Sequence, residues 1–109
     1  QESSRLTCLL RLGFDRIVDV PSEGRSGGIV LIWNSSLISM SILEQDRQSI
    51  HAKCSGTGMA DFLLTSVYAL PCLEFKTILW RKLKLIADRT DMPWAVWGDF
   101  NEILSSMER

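Results

Sequence analysis

The chain has 109 residues, and 12 Lys and Arg against 13 Asp and Glu leave it a formal net charge of −1. Apolar residues make up 46% and charged residues 23%, a globular balance that excludes disordered, collagen-like and coiled-coil chains. The near-neutral charge excludes a module that holds nucleic acid by bulk positive charge, but not a nuclease whose metal screens the phosphates. In chain order, residues 4–12 carry Leu6, Leu9 and Leu10 at helical spacing, with Gly13 placed to end the helix. Phe14 to Val20 alternates as a strand and stops at Pro21. The Gly- and Ser-rich loop 21–28 holds Arg25 and runs straight into GIVLIW (28–33), an unbroken apolar run that reads as a central buried strand.

Asn34-Ser35-Ser36 predicts a turn, after which Ile38, Met40 and Ile42 alternate with Ser39 and Ser41. In the next strand Gln48, Ile50, Ala52 and Cys54 alternate with Arg47, Ser49, His51 and Lys53. Residues 55–59 form another turn and residues 61–70 another strand, so short connections predict two antiparallel hairpins. From about Leu73 to Arg89, Phe75, Ile78, Leu79, Leu83 and Ile86 follow helical spacing. Lys76, Arg81, Lys82, Lys84 and Arg89 lie off that face and read as its solvated side. Asp91-Met92-Pro93 breaks the helix before a last buried strand, WAVWGDF (94–100). The expected class is α/β: a mostly antiparallel sheet with flanking helices and one βαβ unit at its C-terminal end.

Cys8, Cys54 and Cys72 are odd in number and form no C-x-x-C pair, which argues against a disulfide framework or a zinc site. They read as buried apolar thiols in a reducing compartment, nuclear or cytoplasmic, with no disulfide-linked partner. No apolar run reaches the ~18 residues of a membrane span, and no signal-peptide pattern is visible at the start. Because the chain begins at Gln1 rather than Met, it reads as a piece of something longer.

The segment richest in chemistry is Trp94 to Asn101. Side chains alternate along an extended chain, so Asp99 and Asn101 project to one side while Phe100 anchors the other. Gly98 allows close approach to the backbone. The carboxylate can take a proton or sit near a hard cation, and the amide can orient a phosphate oxygen. Alone, the pair is a weak signal, because Asp and Asn after a strand are usually turn residues.

Taken in order, GRSGGIVLIWNSS (24–36), LLTSVYALP (63–71), the amphipathic helix and PWAVWGDFNEIL (93–104) resemble the endonuclease/exonuclease/phosphatase superfamily. Within it they are most similar to the apurinic/apyrimidinic-endonuclease-like domains of plant LINE-type (non-LTR) retrotransposons. The likeness covers nearly all of the chain, and Gly98-Asp99-Phe100-Asn101 is its most specific part. It implies a partial DNase I-like four-layer sandwich, residues 1–109 being one domain truncated at both ends. It further implies metal-dependent cleavage of a DNA phosphodiester, with Mg²⁺ or Mn²⁺ as cofactor.

By the same resemblance Asp99 matches the aspartate that aligns or deprotonates the attacking water. Asn101 matches the asparagine that supports that aspartate and the phosphate, and Tyr68 the tyrosine whose hydroxyl contacts the phosphate or the developing oxyanion. Such groups would stabilise charge accumulating as the phosphorus is attacked. The family's metal-binding glutamate has only Glu2 to stand for it here. Its short distance from Leu12-Gly13-Phe14 implies that the true ligand lies just upstream of Gln1, which leaves Glu2 either as that metal ligand or as an acid in the first turn of a helix. The closing Ser-Asp-His element is absent, and His51 sits in the wrong part of the chain to replace it. One sheet face is then expected to lie uncovered, with Trp33, Trp80, Trp94 and Trp97 as candidates to line it. The fragment itself is expected to be inactive. The alternatives are a non-enzymatic retroelement remnant and a phosphatase of the same superfamily. Arg25 is a candidate contact to a phosphate backbone, or simply a solvated loop residue.

Overall fold

Among residues 10–21 and 28–99, which the computed structural model describes, the chain forms six strands and one long helix. In chain order these are β1 (Arg16–Pro21), β2 (Gly28–Trp33), β3 (Ile38–Gln45), β4 (Ser49–Gly56), β5 (Phe62–Tyr68), α1 (Leu73–Arg89) and β6 (Trp94–Asp99). The expectations for Cys8, for Arg25 and for the first turns of an N-terminal helix lie outside the described residues. Leu10 and Arg11 are helical, and Gly13, at φ 97°, donates its N–H to the Leu10 carbonyl at 3.1 Å. That is the glycine-terminated turn its position predicts.

The strands divide into two sheets rather than the one expected. β1 and β2 pair as an antiparallel hairpin, while β3, β4, β5 and β6 form a second sheet in that order. The division arises at residues 34–37. Leu37 and Ile38 both donate to the Asn34 carbonyl, at 3.0 and 3.1 Å, and the Asn34 side chain accepts from the Ser36 N–H. Asp15 clamps the same turn by accepting from the Ser35 N–H at 2.7 Å and its hydroxyl at 2.6 Å. The chain therefore turns away from β2, and β3 pairs with β4 alone. Within the second sheet β3–β4 and β4–β5 are antiparallel, and β5–β6 is parallel with α1 as the crossover. That is the expected C-terminal βαβ unit, joined by the connection length a parallel pair requires.

Each face of the four-stranded sheet has its own cover. On one side Leu79 and Leu83 of α1 pack on Val67 and Ala69, flanked by Trp80, Trp94 and Val96. On the other, Val20 and Ile29 of the hairpin pack on Ile50, flanked by Val18, Leu31, Ile42 and Tyr68. β4 is consequently buried on both faces, and Ser49 and His51, which alternation alone would send to solvent, are buried with Ile50 and Ala52. The tryptophans correct another expectation. Trp33 is buried, Trp80 and Trp94 pack against the α1 core, and only Trp97 is mostly solvated, at 71% exposure. Cys54 is buried as expected, whereas Cys72, at the start of α1, is exposed. No helix among the described residues is long and apolar enough to cross a membrane.

Candidate functional site

The parallel β5–β6 pair brings two of the resemblance-derived residues together. Its register sets Leu63 beside Trp94 and ends with Tyr68 beside Asp99, at the carboxyl ends of both strands. Register partners in adjacent parallel strands point to the same face, and neighbouring strands run ~4.8 Å apart. Tyr68 and Asp99 therefore share the face that carries the hairpin, at the end where open α/β sheets place their ligands. The Ala69 N–H donates to the Asp99 carbonyl at 2.8 Å, extending the pairing to the last residue of β6.

Gly98 explains why the strands can meet so closely there. Its φ is 138°, and a Cβ added to it would overlap the backbone of Val67. The close approach foreseen at this glycine is thus made by β5, and any side chain would push Asp99 away from Tyr68. Tyr68 is held from two directions. Its N–H donates to the Gln48 carbonyl at 2.9 Å, and its half-buried ring packs against the Val20–Ile29–Ile50 cluster.

The buried Gln48 extends this hold beyond the strand. Its side-chain amide donates to the Phe75 carbonyl at 2.8 Å and accepts from the Leu70 N–H at 2.8 Å. One side chain thereby ties the exit of β5 to the first turn of α1. Asp99 is exposed. The pair offers a carboxylate able to accept a proton or ligate a hard cation, and a phenol able to donate to an anionic oxygen.

Asn101 and Glu2 lie outside the described residues. Among the described residues no group of three His, Cys, Asp or Glu side chains is placed to hold a metal ion. Asp99 supplies one hard ligand, which by itself does not make up a Mg²⁺ site.

His51 belongs elsewhere. It lies on β4 beside Thr65, on the face covered by α1, opposite to the face of Tyr68 and Asp99. Trp94 Nε1–H donates to Thr65 Oγ1 at 2.8 Å, and Thr65 Oγ1 lies 2.8 Å from His51 Nδ1. Indole can only donate, so Thr65 Oγ1 accepts from Trp94, and the same hydroxyl is the hydrogen-bond partner of His51 Nδ1. Burial, reinforced by the Lys82 charge and opposed by Glu44, holds the His51 pKa below its ordinary 6.5. The histidine is a neutral structural group, as its place in the chain implies.

Lys82 was expected on the solvated side of α1 and is not. Its side chain is 18% exposed, with Nζ 2.6 Å from Asp46 Oδ2 and 2.8 Å from Glu44 Oε1. Burial alone would lower the Lys82 pKa, but its bonds to Asp46 and Glu44 outweigh that and raise it. Burial likewise works to raise Asp46, while its bonds from Lys82 and from the Gln48 N–H carry it below its ordinary value. The signal was present in the spacing, because Lys82 lies four residues from both Ile78 and Ile86 on the apolar stripe. Comparison with protein-family models and with curated proteins finds no match.

Proposed function

We propose that this chain is part of a metal-dependent phosphodiesterase that nicks DNA, an endonuclease of a retroelement with a DNase I-like arrangement of two facing sheets. The observation that supports it most is the side-by-side placement of Tyr68 and Asp99 at the carboxyl ends of the parallel β5–β6 pair. These are two of the residues that the superfamily resemblance singles out, from segments 31 positions apart in number. The hairpin stacked on the four-stranded sheet accords with a sandwich of two sheets.

In this reading Asp99 orients or deprotonates the attacking water and Tyr68 donates to a phosphate oxygen as negative charge builds on it. Asn101 would support the Asp99 carboxylate. Mg²⁺ or Mn²⁺, the cofactor implied by the resemblance, supplies charge neutralisation when bound. Glu2 or a residue outside the chain would complete its ligands, because the described residues do not. DNA is the substrate and partner, met through its phosphodiester backbone.

The test is a plasmid-nicking assay on the longer polypeptide that contains these residues, with and without Mg²⁺. Nicking should require the metal, and Tyr68→Phe should reduce kcat roughly 10- to 100-fold with a smaller change in KM. Metal-dependent nicking that Tyr68→Phe leaves unchanged would remove the tyrosine from the site.

A further inference from the structure

The groove between α1 and the β3–β4 side of the sheet has no part in the chemistry proposed above. It is an open groove of about 690 Å³ whose apolar lining is Leu63, Ile78, Leu85 and Ile86. Ile78 and Leu85 remain 54% and 52% exposed, although both are large aliphatic side chains in the middle of a 17-residue helix. They stand seven positions apart, two turns along α1 and on one side of it, with Arg81 and Lys82 between them.

Charge defines the rim. Arg81 and Arg89 line the same groove and form no ion pair with any described residue. Lys82 is already neutralised by Glu44 and Asp46, which leaves the two arginines as the cations available to a ligand.

We infer that this groove docks an acidic amphipathic helix of a partner protein. Residues 78–89 span ~16 Å along the α1 axis, room for about three turns of a second helix. Apolar residues of the partner at i, i+3, i+4 and i+7 would meet Ile78, Leu85 and the recessed Leu63, with Glu or Asp on its flank facing Arg81 and Arg89. A second copy of α1 does not fit this requirement. Lys76, Arg81, Lys82, Lys84 and Arg89 against Glu74 and Asp88 make the helix basic, so two copies would place like charges together. A flat bilayer would not reach Leu63, which is buried at the base of the groove.

Fluorescence anisotropy tests the inference with a labelled helical peptide of about four turns, apolar on one face and glutamate-rich on its flanks. Saturable binding is expected. Leu85→Asp should weaken it roughly tenfold or more, as should the double variant Arg81→Glu, Arg89→Glu. A lysine-flanked version of the peptide should bind that double variant better than it binds the wild type. All three positions are exposed, and circular dichroism melts would confirm that each variant folds. Absence of saturable binding to the wild type would overturn the inference, as would equal binding of acidic and basic peptides. So would binding to phosphatidylserine vesicles but not to the peptide, or self-association in sedimentation that Leu85→Asp abolishes.

Discussion

At the scale of single residues, the geometry around Asp99 depends on an atom that is missing by design of the sequence, the Cβ of residue 98. With φ at 138° and the Val67 backbone where that carbon would sit, Gly98→Ala must strain the backbone and part β6 from β5. A loss of about 2–4 kcal/mol in urea unfolding is expected, from strain and overpacking together. A second residue-scale prediction concerns Lys82. Lys82→Met removes two ion pairs yet keeps the stem that packs in the groove. Because Asp46 and Glu44 are 49% and 61% exposed and stay hydrated, the cost should be only about 1 kcal/mol, again read by urea unfolding.

At the scale of elements, the junction of β5, α1 and the β3–β4 connection rests on Gln48. Its side chain bonds two backbone groups, the Leu70 N–H and the Phe75 carbonyl, that lie on either side of Pro71. Gln48→Ala leaves the Leu70 N–H without its acceptor in a partly buried place, removes the second bond of the Phe75 carbonyl, and should cost about 1–2 kcal/mol. Faster hydrogen exchange at Leu70 and at the first turn of α1 would mark the lesion as local. An unchanged exchange pattern there would show that the junction does not need the glutamine.

Periodicity and breakers made the elements themselves legible, because alternation and helical spacing report which side of a local segment meets the core. They could not show that β4 has cores on both faces, since Ser49 and His51 read as outward-facing until α1 is seen to cover them. The split into two sheets was hidden for a similar reason. It depends on Asp15 reaching Ser35 across 20 positions, a contact that no local pattern encodes. Asp99 and Tyr68 were each legible through a resemblance. That they stand side by side follows from the offset of a parallel register, which the βαβ order implies only in outline.

At the scale of the whole molecule, the titratable groups with shifted pKa values define a stability profile. His51 has its folded pKa lowered by burial, so the unfolded chain takes up a proton first, and stability falls as pH drops from its ordinary 6.5 through the folded value. Asp46 also has a lowered folded pKa. The stability it contributes is present above its ordinary 3.8 and is lost as pH falls further, through the folded value. Burial raises Cys54, so the unfolded thiol ionises first and stability declines as pH climbs from 9.0. Lys82 is raised as well, and its contribution disappears as pH climbs above 10.5 through the folded value. Urea midpoints should therefore be flat between about pH 7 and 9 and fall on both sides. His51→Gln should flatten the decline between pH 7 and 5 while leaving the steeper loss below pH 4. A slope between pH 7 and 5 that survives this substitution would locate the titrating group elsewhere.

The proposed function puts cleavage of a DNA phosphodiester at the Tyr68–Asp99 end of the β5–β6 pair. Mg²⁺-dependent conversion of supercoiled plasmid to open circle tests it most directly, comparing the longer polypeptide with its Asp99→Ala variant after both are shown to melt alike. A loss of roughly 100-fold or more is expected in the variant, the size seen when a group orienting the nucleophile is removed. Nicking by Asp99→Ala at the undiminished rate would contradict it.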